Sequence, residues 1–452
     1  MQIRFLGAVE TVTGSKYVLS FANKKVLIDC GLFQGLKNLR LRNWAPLPID
    51  PSKLSAVLLT HAHIDHTGYL PLLVKKGFRG KIYCTEGTKD LCTVLLPDCG
   101  RIQEEEAARA NHGNYSKHSP ALPLYTYEEA NHALNYIQTI NFNTVTTLTD
   151  DFHFQFLRAG HIVGSSFIRI HDKNISILFT GDIGRPYDLV MQPPTIMHDI
   201  DYMVLESTYG DRLHEPGNPK DYLKPIINRT VDRGGSVIIP AFAVGRSQAL
   251  LYYIFLLKQE NSIPNIPVYL DSPMAVNSTH ILLKYRDELR LTESECLQLN
   301  NIATYINSSD ESKKLSENNT SKIIISASGM AEGGRILSHL TKYAPNARNT
   351  IIFTGYQADG TRGDRIIKGE DKIKIYGQYI PVKAEIEVLT NTSAHSDYNE
   401  TLQWLSHFEN RPRKIFITHG EHHSSQSLKE KIETKFGWSC IIPHYLQEEI
   451  LT

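Results

Sequence analysis

The chain has 452 residues, more than one hydrophobic core usually organises, so two domains are expected. Its 41% hydrophobic and 21% charged residues exclude a disordered or fibrous class. Lys plus Arg and Asp plus Glu balance at 48 each, which excludes a general attraction for polyanions and leaves any nucleic-acid binding to a local basic groove.

In chain order, the N-terminal MQIRFLGAVETVTG shows no apolar core of signal-peptide length, and no run of about 18 apolar residues follows. No membrane span is expected. The six cysteines form no CxxC pair or dense framework, which suits reduced thiols in the cytoplasm. Residues 1–208 alternate short β-like runs with turn signals: QIRFLG, KYVLSFANKKVLIDCG, SAVLLTHAH, KIYCT, FHFQFLRAGH, FIRIHDKNISILFTGD and YMVLEST. Between 98 and 140 the polar QEEEAARANHGNYSKHS reads as a surface excursion, followed by a helix near EEANHALNYI.

From 209 to 385 the rhythm changes. SVIIPAFA, PVYLDSP, KIIISAS and NTIIFTGYQ are compact apolar runs, as in strands buried on both faces, and RSQALLYYIFLLKQE and GGRILSHLTKY are helical. This predicts an α/β unit with a mainly parallel sheet. After 386 the first rhythm returns with AEIEVLT and KIFITHGE, so residues 386–452 complete the first domain and 209–385 read as an insertion.

Six of the 19 histidines stand in informative places. His61-Ala-His63-Ile-Asp65-His66 follows the strand-like SAVLL. Residues two apart on an extended segment point the same way, so His61 and His63 can share one metal. The turn into the helix at TGYLPLLVKKG redirects Asp65 and His66 toward a second point roughly 3.5–4 Å away, the separation of two-metal sites. The competing reading, helix capping by Asp65, needs one such residue and not four. His161 in RAGHIVGSS, Asp182 in LFTGDIGR, His395 in TSAHSD and His419 in FITHGE each follow an apolar strand-like run. Singly each has a bland explanation as a turn or surface residue; their recurrence predicts ligands in loops at one sheet end. Asp29 in VLIDCGLFQG has the same placement and reads as an acceptor that orients ligand histidines.

These motifs resemble the metallo-β-lactamase superfamily, and the insertion narrows the likeness to its β-CASP branch. Asp29, His61–His66, His161 and Asp182 resemble the first four motifs, and Glu206 in LESTYG, His395 and His419 resemble motifs A, B and C. PAFAVGRSQ, LDSPMA, SASGMAEGGR and GYQADGTRGDR extend the likeness through the insertion, with Ala249 a departure where many relatives carry an acid. The resemblance implies a metallo-β-lactamase αββα sandwich with an inserted β-CASP α/β domain. It points to ribonucleases similar to the endonuclease subunit of the cleavage and polyadenylation factor. It further implies two Zn2+ per chain: one on His61, His63 and His161, the other on Asp65, His66 and His419, with Asp182 bridging. Asp65 would orient the attacking water, His395 would protonate the leaving 3′ oxygen, and Glu206 would hold its imidazole. Arg246, Arg335 and Arg362, each beside a glycine, are candidate grips for single-stranded RNA; the competing reading is structural ion pairing.

Three other functions compete. A small-molecule ester or thioester hydrolase on the same fold has no use for a clamp domain. The DNA-directed β-CASP group typically has Val where His419 stands. A non-catalytic RNA-processing scaffold usually loses ligands, and this sequence retains every one. A homodimer is left open.

Overall fold

The computed structural model describes residues 1–21, 24–113, 118–149, 151–355, 357–358 and 360–452. Parts of QEEEAARANHGNYSKHS and GYQADGTRGDR therefore lie outside the described residues. The chain forms two compact units, Met1–Leu213 with His395–Thr452, and His214–Ala394.

In the first unit the described residues form two seven-stranded sheets. One runs Glu448–Ile450, Gln2–Phe5, Tyr17–Phe21, Lys24–Ile28, Ala56–Leu58, Lys81–Cys84 and Ile137–Thr139. The other runs Cys440–Ile441, Lys414–Thr418, Tyr202–Glu206, Ser176–Phe179, Ser166–His171, Phe152–Arg158 and Thr146–Thr149. Side chains alternate faces along a strand, and the consequence is visible residue by residue. Ile3, Phe5, Val26, Ile28 and Leu58 of the first sheet meet Phe154, Phe156, Phe179, Val204 and Phe416 of the second in one buried core. Their neighbours Leu178, Met203, Leu205, Ile415 and Ile417 turn the other way and pack on Leu402, Trp404, Leu405, Leu428 and Ile432. Those residues come from helices Tyr398–Leu405 and His422–Phe436. Helix Glu86–His112 packs against Ile137–Thr139 of the first sheet and against Tyr127–Leu134, which in turn packs on Leu70–Lys75. The layers are helix, sheet, sheet, helix.

In the second unit a six-stranded sheet has the order Thr304–Tyr305, Val268–Asp271, Ile323–Ser326, Val237–Pro240, Thr350–Thr354 and Glu385–Leu389. Every pairing in it is parallel. The central strands VIIP, IIIS and TIIFT are buried throughout, as a parallel sheet covered on both faces requires.

Two local expectations need correction. The polar stretch after residue 98 contains the outer half of the 27-residue helix Glu86–His112, up to His112, where helix had not been expected. Its first half buries Leu91, Cys92, Leu95 and Leu96, while the second half is solvated and so lacks an apolar stripe. The segment AEIEVLT does not return to the first unit. Its strand Glu385–Leu389 pairs parallel with Thr350–Thr354 at the rim of the six-stranded sheet, and it is half-buried along all but its last residue, as an edge strand is. The unit boundaries accordingly fall after 213 and 394 rather than 208 and 385.

Candidate metal centre

The candidate ligands and Asp29 lie in the segments that leave strand ends of the first unit. Asp29 follows Lys24–Ile28, His61 follows Ala56–Leu58, His161 follows Phe152–Arg158, Asp182 follows Ser176–Phe179 and His419 follows Lys414–Thr418. His61 and His63 leave the strand end, and the short helix Ile64–Thr67 then carries Asp65 and His66. The residue at the N-cap of this helix is His63, without a side-chain capping bond, so Asp65 is not the cap that the competing reading supposed. The turn is held by backbone bonds from Ser15 N to Asp65 O (2.8 Å), Cys30 N to His66 O (2.7 Å) and Leu32 N to Ile64 O (3.0 Å). Gly31 permits that approach, since a Cβ there would lie 1.5 Å from the Asp65 carbonyl oxygen. Lys16, buried beneath, donates to the Gly31 carbonyl and lies 4.6 Å and 4.8 Å from the ring centres of Phe33 and Tyr69. Burial lowers its pKa to about 8.

The ligand atoms converge in two groups. His61, His63, His161 and Asp182 bring one atom each to within 4.8 Å of one another, as do Asp65, His66 and His419. In the first group His61 Nε2 is 3.0 Å and His161 Nε2 3.3 Å from His63 Nδ1. In the second, His66 Nε2 is 3.0 Å from His419 Nε2, which is 3.4 Å from Asp65 Oδ2. Asp182 faces both. Its Oδ2 is 3.3 Å from His61 Nε2 and 3.4 Å from His161 Nε2, and its Oδ1 is 3.3 Å from His66 Nε2.

This donor set fits metal ions. Imidazole nitrogens aimed at one another at hydrogen-bond distance can satisfy only some of their lone pairs within the group, and a cation satisfies all of them. Burial lowers His63 to about 3 and holds His161 well below its ordinary value. Burial and the neighbouring His66 likewise lower His61, so this group presents neutral lone pairs. For Asp182 burial pushes the pKa up, but His419, His66 and His61 outweigh it and keep the carboxyl ionised. Burial also opposes charge on His66 and His419, yet the carboxylates around them raise both.

Asp29 stands against the second group. Its Oδ2 lies 2.7 Å from His66 Nδ1, while its Oδ1 accepts from Thr60 N at 2.8 Å. Ser15 Oγ donates to Asp29 at 3.2 Å, and Thr60 Oγ1 also lies 3.1 Å from His61 Nδ1. Asp29→Asn keeps the shape but loses the charge facing His66. If the site holds metal as its donor set suggests, it is expected to lower metal affinity about 10–100-fold, measured by competition with a chelating dye. Unchanged affinity would remove the orienting role.

His395 lies beside the cluster and outside both ligand groups. Its ring is 4.5 Å from that of His161, and its Nδ1 is 3.1 Å from Glu206 Oε2. Glu206 ends the strand Tyr202–Glu206 and accepts from Ile183 N and, at 2.6 Å, from Thr208 Oγ1. Ser396 N bonds Ile183 O at 2.8 Å, which fixes the backbone beside His395. Thr208 also reaches His419 Nδ1 at 3.2 Å, linking the Glu206 pair to a candidate ligand. Thr60, Ser15 and Thr208 escaped the sequence reading. Their one signal was adjacency, Thr60 in LLTHAH and Thr208 in LEST.

The three arginines lie in the other unit. Arg246 is buried at the start of helix Arg246–Gln259 and donates to Thr392 Oγ1 at 2.7 Å. Arg335 donates to Asp271 Oδ1 at 2.7 Å and to the Ile306 and Asn307 carbonyls. Arg362 donates to the Lys374 carbonyl at 2.9 Å and pairs with Glu332. Each guanidinium thus has a partner within its own unit, and Arg246 is buried.

A four-layer sandwich with this ligand set at its strand ends defines a metal-dependent hydrolase of the metallo-β-lactamase fold. Family comparison agrees: a metallo-beta-lactamase superfamily domain matches residues 18–204, a Beta-Casp domain 247–366, and a Zn-dependent metallo-hydrolase RNA specificity domain 379–443. The chain is similar to "Ribonuclease TTHA0252" of Thermus thermophilus, 33% identical, with 93% of each chain covered. It is also similar to "Transcription termination factor FttA" of Methanosarcina mazei, 30% identical over 96% of this chain and 70% of that one. An "RNase J-like protein" of Methanocaldococcus jannaschii is 30% identical, with 94% of each covered. A solved structure of a protein of unknown function from Enterococcus faecalis shares the fold, with a TM-score of 0.56, 14% identity, and 100% and 99% coverage. The chain belongs to the β-CASP branch of the metallo-β-lactamase superfamily.

Proposed function

We propose that this protein is an endoribonuclease that hydrolyses phosphodiester bonds in single-stranded RNA with two zinc ions. The observation that carries the reading is the pair of ligand groups sharing Asp182, with the Glu206–His395 pair beside them. The RNA-directed half is supported by the relatives and by the match to an RNA specificity domain.

His61, His63 and His161 would hold one ion, Asp65, His66 and His419 the other, and Asp182 both. Bound there, the ions supply Lewis acidity, which makes water acidic enough to ionise near neutral pH and offsets phosphate charge. Asp65, with Oδ2 turned to His419, has its other oxygen to orient the attacking water. Glu206 accepts from His395 Nδ1, which leaves Nε2 as the position that carries a proton to the departing 3′ oxygen. The products are a 5′-phosphate and a 3′-hydroxyl. The cytoplasm is the compartment that suits six unpaired thiols, and no described helix is long and apolar enough to cross a membrane.

The test is incubation with single-stranded RNA labelled at one end or internally, with and without chelator. Internal fragments that vanish on chelation are expected. Mononucleotides released from one end would make the enzyme an exonuclease, and cleavage that survives complete zinc removal would refute the metal mechanism.

A further inference from the structure

The second unit carries a two-stranded antiparallel ribbon, Lys372–Ile375 with Gln378–Pro381, that the hydrolytic centre does not use. Its faces are chemically opposite. Ile373, Ile375 and Ile380 point inward and are buried. Lys372 and Lys374 lie on the other face, with Tyr379 directly across from Lys374 and Lys372 Nζ 5.7 Å from the Tyr379 ring centre. Tyr376 and Tyr379 are 66% and 64% exposed.

The turn adds an independent observation. Tyr376 and Gly377, the two residues that join the strands, have φ of 49° and 82°. A two-residue turn with both φ values positive is cheap for Asn-Gly or Asp-Gly, and a bulky aromatic at the first position is costly. A ring held in solvent at that cost points to use, since strain of this kind gathers at ligand contacts.

We propose that this ribbon is a binding platform for single-stranded RNA, on which Tyr376 and Tyr379 stack bases while Lys372 and Lys374 hold phosphates. The inference rests on the ribonuclease reading and names a contact that reading lacks. Residues 372–383 contain three lysines and no acid, so the ribbon is complementary to a polyanion. Of the nearby acids, Glu332 and Glu370 are paired with Arg362 and Arg365, and Asp371 lies at the ribbon's edge. The bond from Arg362 to the Lys374 carbonyl fixes the ribbon to helix Arg362–Ile367. A protein partner fits less well, because lysine is depleted from such interfaces and the aliphatic side chains here all face inward. Rings interleaved with cations are what single strands use, with little sequence preference.

The test measures binding of a fluorescent 20-nucleotide oligouridylate to the full-length zinc-loaded protein at several salt concentrations. Tyr376→Asn suits the turn and should fold at least as well as the parent. It and Tyr379→Ser should each weaken binding about tenfold, the effect of losing one base stack. Lys372→Gln with Lys374→Gln should reduce the salt slope by about 1.4, at about 0.7 per phosphate contact. Zinc content and melting temperature check that each variant is folded. If the parent cleaves RNA while folded variants bind it as tightly as the parent, the platform is overturned alone. If the variants bind RNA normally but change the oligomeric mass, the face is a contact between copies and the proposal also fails. A parent that hydrolyses a nitrophenyl phosphodiester yet neither binds nor cuts RNA overturns the ribonuclease reading, and the platform with it.

Discussion

On the proposed two-zinc mechanism, replacing His395 by Ala is expected to leave the metal content unchanged and to slow RNA cleavage about 10²–10⁴-fold, the usual effect of losing a general acid. The expectation follows from position. His395 sits outside both ligand groups, yet its ring is 4.5 Å from that of His161 and its Nδ1 is held by Glu206. A ligand would not need a carboxylate partner fixed in turn by Thr208 and Ile183, whereas a proton donor does, because the donating nitrogen must be the other one. The decisive comparison is a nitrophenyl phosphodiester, whose leaving group needs no proton. There the loss should shrink to within about tenfold, since proton transfer no longer limits the rate. Equal losses on both substrates would show that His395 does something other than donate the proton. Glu206→Gln should follow the same pattern with a smaller effect, because the imidazole remains but its tautomer is no longer held.

On the same proposal, replacing Asp182 by Ala is expected to abolish hydrolysis and to cost the protein more than one equivalent of zinc, measured by metal analysis after gel filtration. His61→Ala, which removes a ligand from one group only, should lose about one equivalent and also be inactive. The difference follows from Asp182 placing Oδ2 against His61 and His161 and Oδ1 against His66. Removal of both ions by a chelator should also lower the melting temperature, because ligand binding stabilises by about 4 kcal/mol at 1,000-fold excess over Kd. For a unit of this size that corresponds to roughly ten degrees. A parent protein that is fully active with a single zinc would remove the bridging role of Asp182. A melting temperature indifferent to chelation would show that the clustered imidazoles and carboxylates are satisfied without metal.

The ligand candidates were legible in the sequence because their signal is local. An extended run followed by His61, His63, Asp65 and His66 carries its geometry in a two-residue period and a turn, both set by neighbouring dihedrals. The lone candidates His161, Asp182 and His419 stood out for a related reason, each closing an apolar run that the structure forms as a strand. The parallel character of the second unit's sheet was legible in VIIP, IIIS and TIIFT, which have no solvated face to alternate with. Partners distant in sequence were decided by the fold. Which strand Glu385–Leu389 joins depends on backbone pairing with Thr350–Thr354, and an edge strand's half-buried pattern is the same in either unit. The outer half of Glu86–His112 is a helix because its buried first half starts it, though its own residues show no apolar stripe. Thr60, Ser15 and Thr208 matter only through hydrogen bonds to Asp29, Glu206 and the ligand histidines, and small hydroxyl residues carry no pattern of their own. The split of the candidate ligands between the two oxygens of Asp182 likewise exists only once four strand ends meet, because covalent spacing limits how far side chains can reach while packing determines which of them touch.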